Sequence, residues 1–529
     1  MNSNKKFYLN KEFLKIVNYF SIFIFFLVLT FYLANKINFE RHWTSFYDQE
    51  VTLAYNALLF NSGILQEYID HSGFFTILFL SIFLKIINFL NLLSAYKFSI
   101  FNDNHNIDLD LQNIIFFTRI FSAFCVTFFL MISFFLINHF SKNKIFSVLL
   151  CIVIFFSIGT ILQISQLRTE LISMIFLLLS AINLIFFFKV ENNFRVYNII
   201  FFFLFLFCSI LNKSQTFFYI PCILLLAYFS SSKLSSLNLN IKNFFFLKKK
   251  KTLYILLFII FFYIILKQFT SHNPFSRAIL NIIFLISNVV LINFFFYFCL
   301  KNKNVKIYEN LAAINFLIIT IFFLFKSILF IHPSTNEEAF RNTFTNIMNV
   351  FTYTKYYDDI LTIVDAPKYI NILITFKKLI LNTFAMFKIK LNNINYYSYL
   401  IFLNLFLSYF FKNELKNKRI TFNIICILIF FYISSINELR GALQYAIFSD
   451  FFLILSFANF GNLIKLKKIL LISFLIFFSI ALNKNNIVTY INSIKIDNIN
   501  QLCNDSYFDD WHKRIVKNDF VKFCTKYKF

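Results

Sequence analysis

The segment Phe46–Phe75 reads FYDQEVTLAYNALLFNSGILQEYIDHSGFF and gathers Asp48, Glu50, Glu67, Asp70 and His71 between two apolar runs. Asp48 and Glu50 are the residues there best suited to chemistry. A carboxylate can take the proton from an acceptor hydroxyl as a bond to carbon forms, and two carboxylates can hold a divalent metal such as magnesium or manganese. The spacing also fits a structural role: Ser45-x-x-Asp48 has the form of a capping box, and acids stabilise a helix N-terminus. Side chains at i and i+2 of a regular helix point apart, so the pair reaches one site only if Asp48 precedes the helix. Asp70-His71-Ser72-Gly73 offers a second arrangement, a carboxylate orienting an imidazole, with a polar helix cap as the plain alternative.

Three further segments pair a cation with a polar neighbour at the start of an apolar run. They are Arg168 and Glu170 in SQLRTELISMIF, Lys213 and Gln215 in LNKSQTFFYIP, and Arg440 and Tyr445 in NELRGALQYAIF. Each alone fits an anchor that snorkels to the interface. Together they suit neutralisation of a lipid phosphate or pyrophosphate at one membrane face. His332-Pro333 with Glu337 and Glu338 reads as a loop that touches substrate. No HExxH, CxxC, P-loop, GxGxxG or GxSxG spacing is present.

The elements that must position these residues are membrane spans. Of 529 residues 59% are hydrophobic, 85 are Phe and mean hydropathy is +0.70, which excludes a soluble globular domain. Apolar runs predict an all-α polytopic membrane protein with about thirteen spans, near 16–34, 114–138, 144–162, 169–188, 196–211, 216–231, 252–268, 277–300, 309–331, 396–412, 419–436, 444–460 and 467–483. The first of these follows a basic segment and reads as an uncleaved signal anchor. The net charge of +25 is read as a topology signal, with no nucleic-acid partner expected.

The apolar run 73–93 decides the layout. If it crosses and the N-terminus is inside, SKNK at 141–144, the lysines of 230–251, KNKNVK at 301–306, KNELKNKR at 412–419 and KLKK at 465–468 all fall outside; if it crosses with the N-terminus outside, four basic residues of the N-terminal segment are stranded there. If it lies in the interface, with Lys85 snorkelling, all of them fall inside, as the positive-inside rule requires. The short outer loops then keep Arg168, Lys213, Lys267, Arg277 and Arg440, and of 25 acids only Glu12, Glu191, Glu309 and Glu414 face the cytoplasm. Carboxylate chemistry therefore belongs on the outer face. The long outer segments are 35–113, 332–395 with the amphipathic stretch YINILITFKKLILNTFAMFKIKL, and the tail 484–529. Val51, Ala54, Tyr55 and Leu58 give one apolar face to a helix expected to lie along the interface after Asp48. Six cysteines fall in spans and read as small packing residues; Cys503 and Cys524, in the outer tail, are expected to pair.

An anchor span, an outer segment with an acidic pair, a following helix and the Asp70-His71-Ser72-Gly73 motif resemble the GT-C fold of glycosyltransferases. The similarity is greatest to the protein mannosyltransferase and aminoarabinose transferase group. Leu167–Glu170 (LRxE), Lys213 to Pro221 (KxQ…P) and Arg440 with Gln444-Tyr445 add to the resemblance, which covers roughly residues 20–485 in layout. Ser72 stands where many members have proline, and no large soluble C-terminal domain follows the spans. The resemblance implies a transmembrane domain over 1–483 that moves a sugar from a polyprenyl-phosphate carrier to a glycan, lipid or protein acceptor at the outer face of a bacterial inner membrane. It implies a base or metal contact at Asp48, with Glu50 secondary, and phosphate contacts drawn from Arg168, Lys213 and Arg440; His71, Glu170, Gln215 and Tyr445 complete the expected substrate contacts.

The competing readings are a transporter or flippase of lipid-linked saccharides and a polymerase or ligase at the same face. A transporter should carry ionisable residues within the membrane and broken or repeated helices. The layout itself is testable by reporter fusions after Lys97 and after Lys144, expected to report outside and inside respectively. The reverse at either site would remove the outer-face placement of the acids.

Overall fold

The computed structural model describes residues 2–39, 41–43, 50–62, 73–94, 96–97, 107–189, 194–230, 372–392, 395–415, 417–437, 443–463 and 466–494. The described residues are mostly helical and include no strand. The helices are α1 (Asn2–Ala34), α2 (Thr52–Asn61), α3 (Phe74–Phe89), α4 (Ile107–Ser141), α5 (Lys144–Phe155), α6 (Ile158–Ser165), α7 (Thr169–Lys189), α8 (Phe194–Asn212), α9 (Ile220–Ser230), α10 (Ile372–Leu391), α11 (Tyr396–Phe410), α12 (Asn417–Asn437), α13 (Ala446–Leu455) and α14 (Leu466–Ile494). The chain divides into two units: 1–68, 73–175 and 386–529 form one, and 69–72 with 176–385 form the other. The expected spans 252–268, 277–300 and 309–331 and the loop with His332, Glu337 and Glu338 lie outside the described residues.

Among the described residues five helices are long and apolar enough to cross a membrane: Ile16–Ile37, Leu109–Ser141, Thr169–Phe188, Asn417–Ile436 and Leu443–Asn462. The pair α5 and α6 makes a sixth if counted as one span, although it bends by 65°. The expected spans near 196–211, 216–231, 396–412 and 467–483 coincide with described apolar helices that do not meet that test. Between α8 and α9, for example, the chain tightens into a 3₁₀ turn over Ser214–Tyr219. Pro221 then falls in the first turn of α9, where its missing N–H breaks no helical bond.

The first unit is assembled around α4. Its length, 35 residues, comes from an uninterrupted apolar periodicity, and it packs against α1, α2, α3, α5 and α6. Phenylalanines make much of the contact with α1: Phe31 meets Phe124 edge-on at 5.0 Å and Tyr19 lies 5.3 Å from Phe135. Phe83 of α3 lies 5.3 Å from Phe121. Small polar residues pin the helices where no water can reach. Asn61 and Ser81 exchange hydrogen bonds between α2 and α3 (Ser81 Oγ to Asn61 Oδ1, 2.6 Å), which satisfies both groups inside the apolar core.

The helix after Glu50 differs from the expectation. Thr52, Leu53, Ala54, Tyr55, Asn56, Ala57, Leu58, Leu59 and Asn61 of α2 are all buried, so it is an interior helix rather than one lying on an interface. The apolar stripe Val51, Ala54, Tyr55 and Leu58 is only part of its covered surface. Ala54 and Ala57 present little bulk, and Asn61 has a partner in α3, so the polar side also packs inward. In contrast α3, the helix of the 73–93 run, keeps Phe79, Ile82, Lys85, Ile86 and Phe89 exposed. At 16 residues it is about 24 Å long, short of a hydrocarbon core of about 30 Å.

The helices of this unit share two ends, one joined by buried asparagines and one by a buried ion pair. At the first, Asn143 caps α5 by accepting from Phe146 N, and Asn462 Nδ2 donates to Phe140 O at 2.8 Å. Phe140 stacks on Phe422 with centroids 4.7 Å apart, and Asn459 Nδ2 donates to Asn423 Oδ1 at 3.1 Å. The ends of α4, α5, α12 and α13 thus meet in the alternating order that successive antiparallel spans require.

Between the ends lies the bend. Phe156 and Ser157 break the helix, and Ser157 recaps α6 by accepting from Thr160 N. The carboxylate of Asp450, buried in α13, accepts the Gly159 N–H at 3.2 Å, so an acid meets the positive pole of a helix start. This needs backbone contact: a Cβ at Gly159 would stand 2.2 Å from Ile447 N and 2.5 Å from Ala446 C.

The second unit comprises, among its described residues, most of α7, then α8, the 3₁₀ turn and α9 (with the first part of α10). Phe176 and Phe205 stack there at 6.2 Å. The described cysteines 125, 151, 208, 222 and 426, of both units, are buried, in keeping with small packing residues. Gly159→Ala is expected to destabilise the protein by about 3 kcal/mol or more, because both obstructing groups are backbone. Ala446→Gly should not restore it. Thermal unfolding of the purified protein in detergent measures this, and a change under about 0.5 kcal/mol would contradict the close approach of α6 and α13.

Candidate active site at the charged end of the first unit

Arg119 projects from the second turn-and-a-half of the apolar part of α4, within the expected 114–138 span, and neither it nor Glu50 is exposed. Its Nε donates to Glu50 Oε2 at 3.1 Å. Its Nη1 donates to the Arg41 carbonyl at 2.5 Å and its Nη2 to the His42 carbonyl at 3.3 Å. One guanidinium thus holds residues on both sides of the stretch 44–49. About two helical turns earlier, Gln112 reinforces the hold: Nε2 donates to the Arg41 carbonyl at 3.1 Å and Oε1 accepts from Trp43 N at 2.8 Å. The planar, permanently charged fork of arginine suits this three-way arrangement, which a lysine would not reproduce.

The network continues into the chain between α6 and α7. Arg41 Nη2 donates to the Ser165 carbonyl. Ser122, three residues after Arg119 on α4, donates to the Gln163 carbonyl at 2.6 Å. Gln163 Nε2 donates to the Gln444 carbonyl at 3.1 Å, which joins the short 3₁₀ turn Leu443–Tyr445 ahead of α13. With its amide oxygen turned toward Arg168, Gln166 accepts from Nε and Nη2 of that residue at 2.8 Å each. Glu170 follows in the first turn of α7, buried, with the Thr169 hydroxyl 3.5 Å from its Oε2. Residues 41–43 with Glu50, the segment 163–165 and the turn 443–445, far apart in sequence, are therefore one bonded cluster, which the chain continues to Arg168 and Glu170.

The candidate residues are distributed as follows. Glu50, Arg168, Glu170 and Tyr445 are brought into this cluster. Lys213 and Gln215 belong to the second unit, where both are buried at the junction of α8 and its 3₁₀ turn; Lys213 N donates to Ser209 O at 2.9 Å and the Thr216 hydroxyl donates to the Lys213 carbonyl at 2.8 Å. Asp48, Asp70, His71, Arg440, Cys503 and Cys524 lie outside the described residues. Glu50 precedes the first α-helical residue of α2, so it is not bound to the i, i+2 geometry of a regular helix.

Arg119, Arg41, Gln163 and Asp450 were not among the residues singled out from the sequence. For two of them a signal was present. An ionisable residue inside an apolar span is a functional candidate by default, and both Arg119 and Asp450 are of that kind. Their partners could not be read: Glu50 is 69 residues from Arg119, and Gly159 is 291 residues from Asp450.

Among its described residues the cluster holds three guanidinium groups (Arg41, Arg119, Arg168) and two carboxylates (Glu50, Glu170). Guanidinium groups can meet an anionic ligand such as a phosphate. Among the described residues no three His, Cys, Asp or Glu side chains gather as a metal site, and Glu50 already faces a guanidinium, so the described part of the cluster does not fit a magnesium or manganese ion.

Removing one member of a buried pair strands the other charge. Arg119→Leu alone is expected to cost about 3–5 kcal/mol of stability. Glu50→Leu/Arg119→Leu should cost clearly less than the sum of the single changes, as a double-mutant cycle of denaturant or thermal unfolding would register. Additive effects would mean that the two side chains do not act as a pair. Comparison of the chain with protein-family models, with curated proteins and with solved structures found no match.

Proposed function

We propose that this protein is an integral-membrane glycosyltransferase that moves a sugar from a polyprenyl-phosphate-linked donor to an acceptor at the outer face of the membrane. The proposal includes a GT-C-like layout of about thirteen spans, with the N-terminus in the cytoplasm, the tail outside and the inner membrane of a bacterium as its location. The observation that carries it is the bonded cluster. Three segments singled out in the sequence, around Glu50, around Arg168 and Glu170, and around Gln444-Tyr445, converge at one end of the first unit, where the guanidinium groups of Arg41, Arg119 and Arg168 also lie. That is what a site for a lipid phosphate at the end of a helical bundle needs.

In this reading Asp48 accepts the proton of an acceptor hydroxyl as its oxygen forms the bond to the anomeric carbon. The bond from that carbon to the phosphate oxygen breaks, and the phosphate leaves with the electron pair. Direct displacement inverts the anomeric configuration. Arg168 stabilises the charge on the departing phosphate. The leaving group is a good one, so positioning and charge neutralisation supply most of the acceleration. Arg119 acts at one remove, by fixing residues 41, 42 and 50 around the segment that carries Asp48.

A second reading, transport of a lipid-linked saccharide between leaflets, is favoured by one feature: the broken α5–α6 pair with buried Asp450 at the break. The two readings separate on purified protein. Reconstituted with a polyprenyl-phosphate sugar, a transferase releases polyprenyl phosphate and forms a glycoside, whereas a transporter moves the intact lipid across the vesicle membrane.

Asp48→Asn is expected to keep the fold and donor binding and to lower transfer per folded molecule by about 10² or more. Glu50→Gln should lower it less, and Arg168→Ala should weaken donor binding. A helix-capping role for Asp48 has a different signature, a stability loss of about 1 kcal/mol with turnover intact. Full transfer by folded Asp48→Asn protein would remove that residue from the chemistry.

A further inference from the structure

We propose that Glu50 Oε1 and Gln163 Oε1 form a subsite for the sugar ring of the donor, each accepting a hydrogen bond from a ring hydroxyl. The inference rests on the transferase reading and names the part of the ligand that the cluster holds besides phosphate. Both oxygens are buried and neither has a hydrogen-bond partner among the described residues. Each belongs to a side chain whose other polar atom is already used: Glu50 Oε2 by Arg119 at 3.1 Å, Gln163 Nε2 by the Gln444 carbonyl at 3.1 Å. Both are tied to one turn of α4, Glu50 through Arg119 and Gln163 through the bond from Ser122 to its carbonyl at 2.6 Å. Two acceptors left open in such a small region are uncommon, because buried polar groups are nearly always paired.

The chemistry of the missing partner follows. It must donate, since only acceptor lone pairs are open. A cation would meet Arg119, whose charge already balances Glu50, and Arg41 beside it. A neutral donor of two hydrogen bonds avoids that repulsion, and the adjacent hydroxyls of a sugar ring supply both. The guanidinium groups nearby then meet the phosphate that the same ligand carries, so ring and phosphate are recognised by separate parts of one cluster. Discrimination against a ring that lacks the matching hydroxyl arises because the acceptor would again be stranded.

The test uses the full chain in lipid nanodiscs and measures binding of a polyprenyl phosphate with no sugar and of the same lipid bearing glucose, mannose or arabinose. At least one sugar-bearing probe is expected to bind the wild-type protein more tightly than the bare lipid. Gln163→Leu should lose about three- to tenfold of that added affinity with the affinity for bare lipid unchanged, and Glu50→Gln about tenfold of the added affinity, measured against the same variant's binding of bare lipid. Glu50→Gln serves as the independent variant where Gln163→Leu fails to fold, and Gln163→Leu serves in the converse case. Equal binding of all four probes to wild-type protein would overturn the subsite, as would full retention of the added affinity in a folded variant, the result expected if bound water fills the two acceptors. Bare lipid that does not bind wild-type protein overturns the donor class itself, and the subsite with it.

Discussion

A charge inside an apolar helix is tolerated only where its surroundings replace water, and Arg119 is where this protein meets that requirement. The guanidinium has a carboxylate on one edge and two backbone carbonyls on the other, so it is solvated by the chain in place of solvent. The consequence runs outward. The carbonyls of Arg41 and His42 are held, so the chain leaving α1 has a fixed course. Glu50 is held, so the start of α2 is fixed as well. Arg41, aligned by this, reaches the turn between α6 and α7. An aliphatic residue at 119 would suit the helix better and leave the charged end without its centre.

The opposite end of the same helices is built differently. There the contacts are neutral amides and hydroxyls: Asn404 to Ser456, Asn423 to Ser408, Asn459 to Asn423, and Asn462 to the Phe140 carbonyl. Interhelical bonds of this kind are worth roughly 1 kcal/mol each in a membrane and set the register between helices without attracting charged ligands. The contrast between the two ends is a division of labour. Buried neutral polar groups fix the spacing of α4, α5, α11, α12 and α13 at one end, whose lysines stay at the surface, and the buried Glu50–Arg119 pair lies at the other, where a phosphate-bearing ligand would be met.

Much of the helical framework was legible in the sequence because apolar periodicity and length are local properties. The expected runs at 16–34, 114–138, 169–188 and 419–436 fall within α1, α4, α7 and α12. What was illegible depended on distant partners. The run 144–162 gave no sign of a 65° bend, since Ser157 and Gly159 are unremarkable in an apolar stretch until Asp450 and the backbone at Ile447 lie against them. The helix after Glu50 was misjudged because a stripe at helical spacing shows which side must be covered and not whether the other side is covered too. Of the candidate site, Glu50, Arg168, Glu170 and Tyr445 were visible as polar residues at the ends of apolar runs. Arg119 was hidden by its lack of a local acid.

The bond between Gly159 and Asp450 has a temporal consequence. It closes a loop of 291 residues, whereas Glu50 and Arg119 are only 69 apart. A ribosome adding about 5–20 residues per second supplies Arg119 soon after Glu50, but Asp450 follows Gly159 by roughly 15–60 seconds. During that interval the nascent α5–α6 pair is in the membrane with the Gly159 N–H still waiting for Asp450 and its close-packing neighbour not yet made. The charged centre can therefore assemble early, while the bent pair waits on the C-terminal third of the chain. A translocon partner or chaperone that shields a polar break would act on this pair, and truncated chains ending before α13 are the natural substrates for membrane quality control.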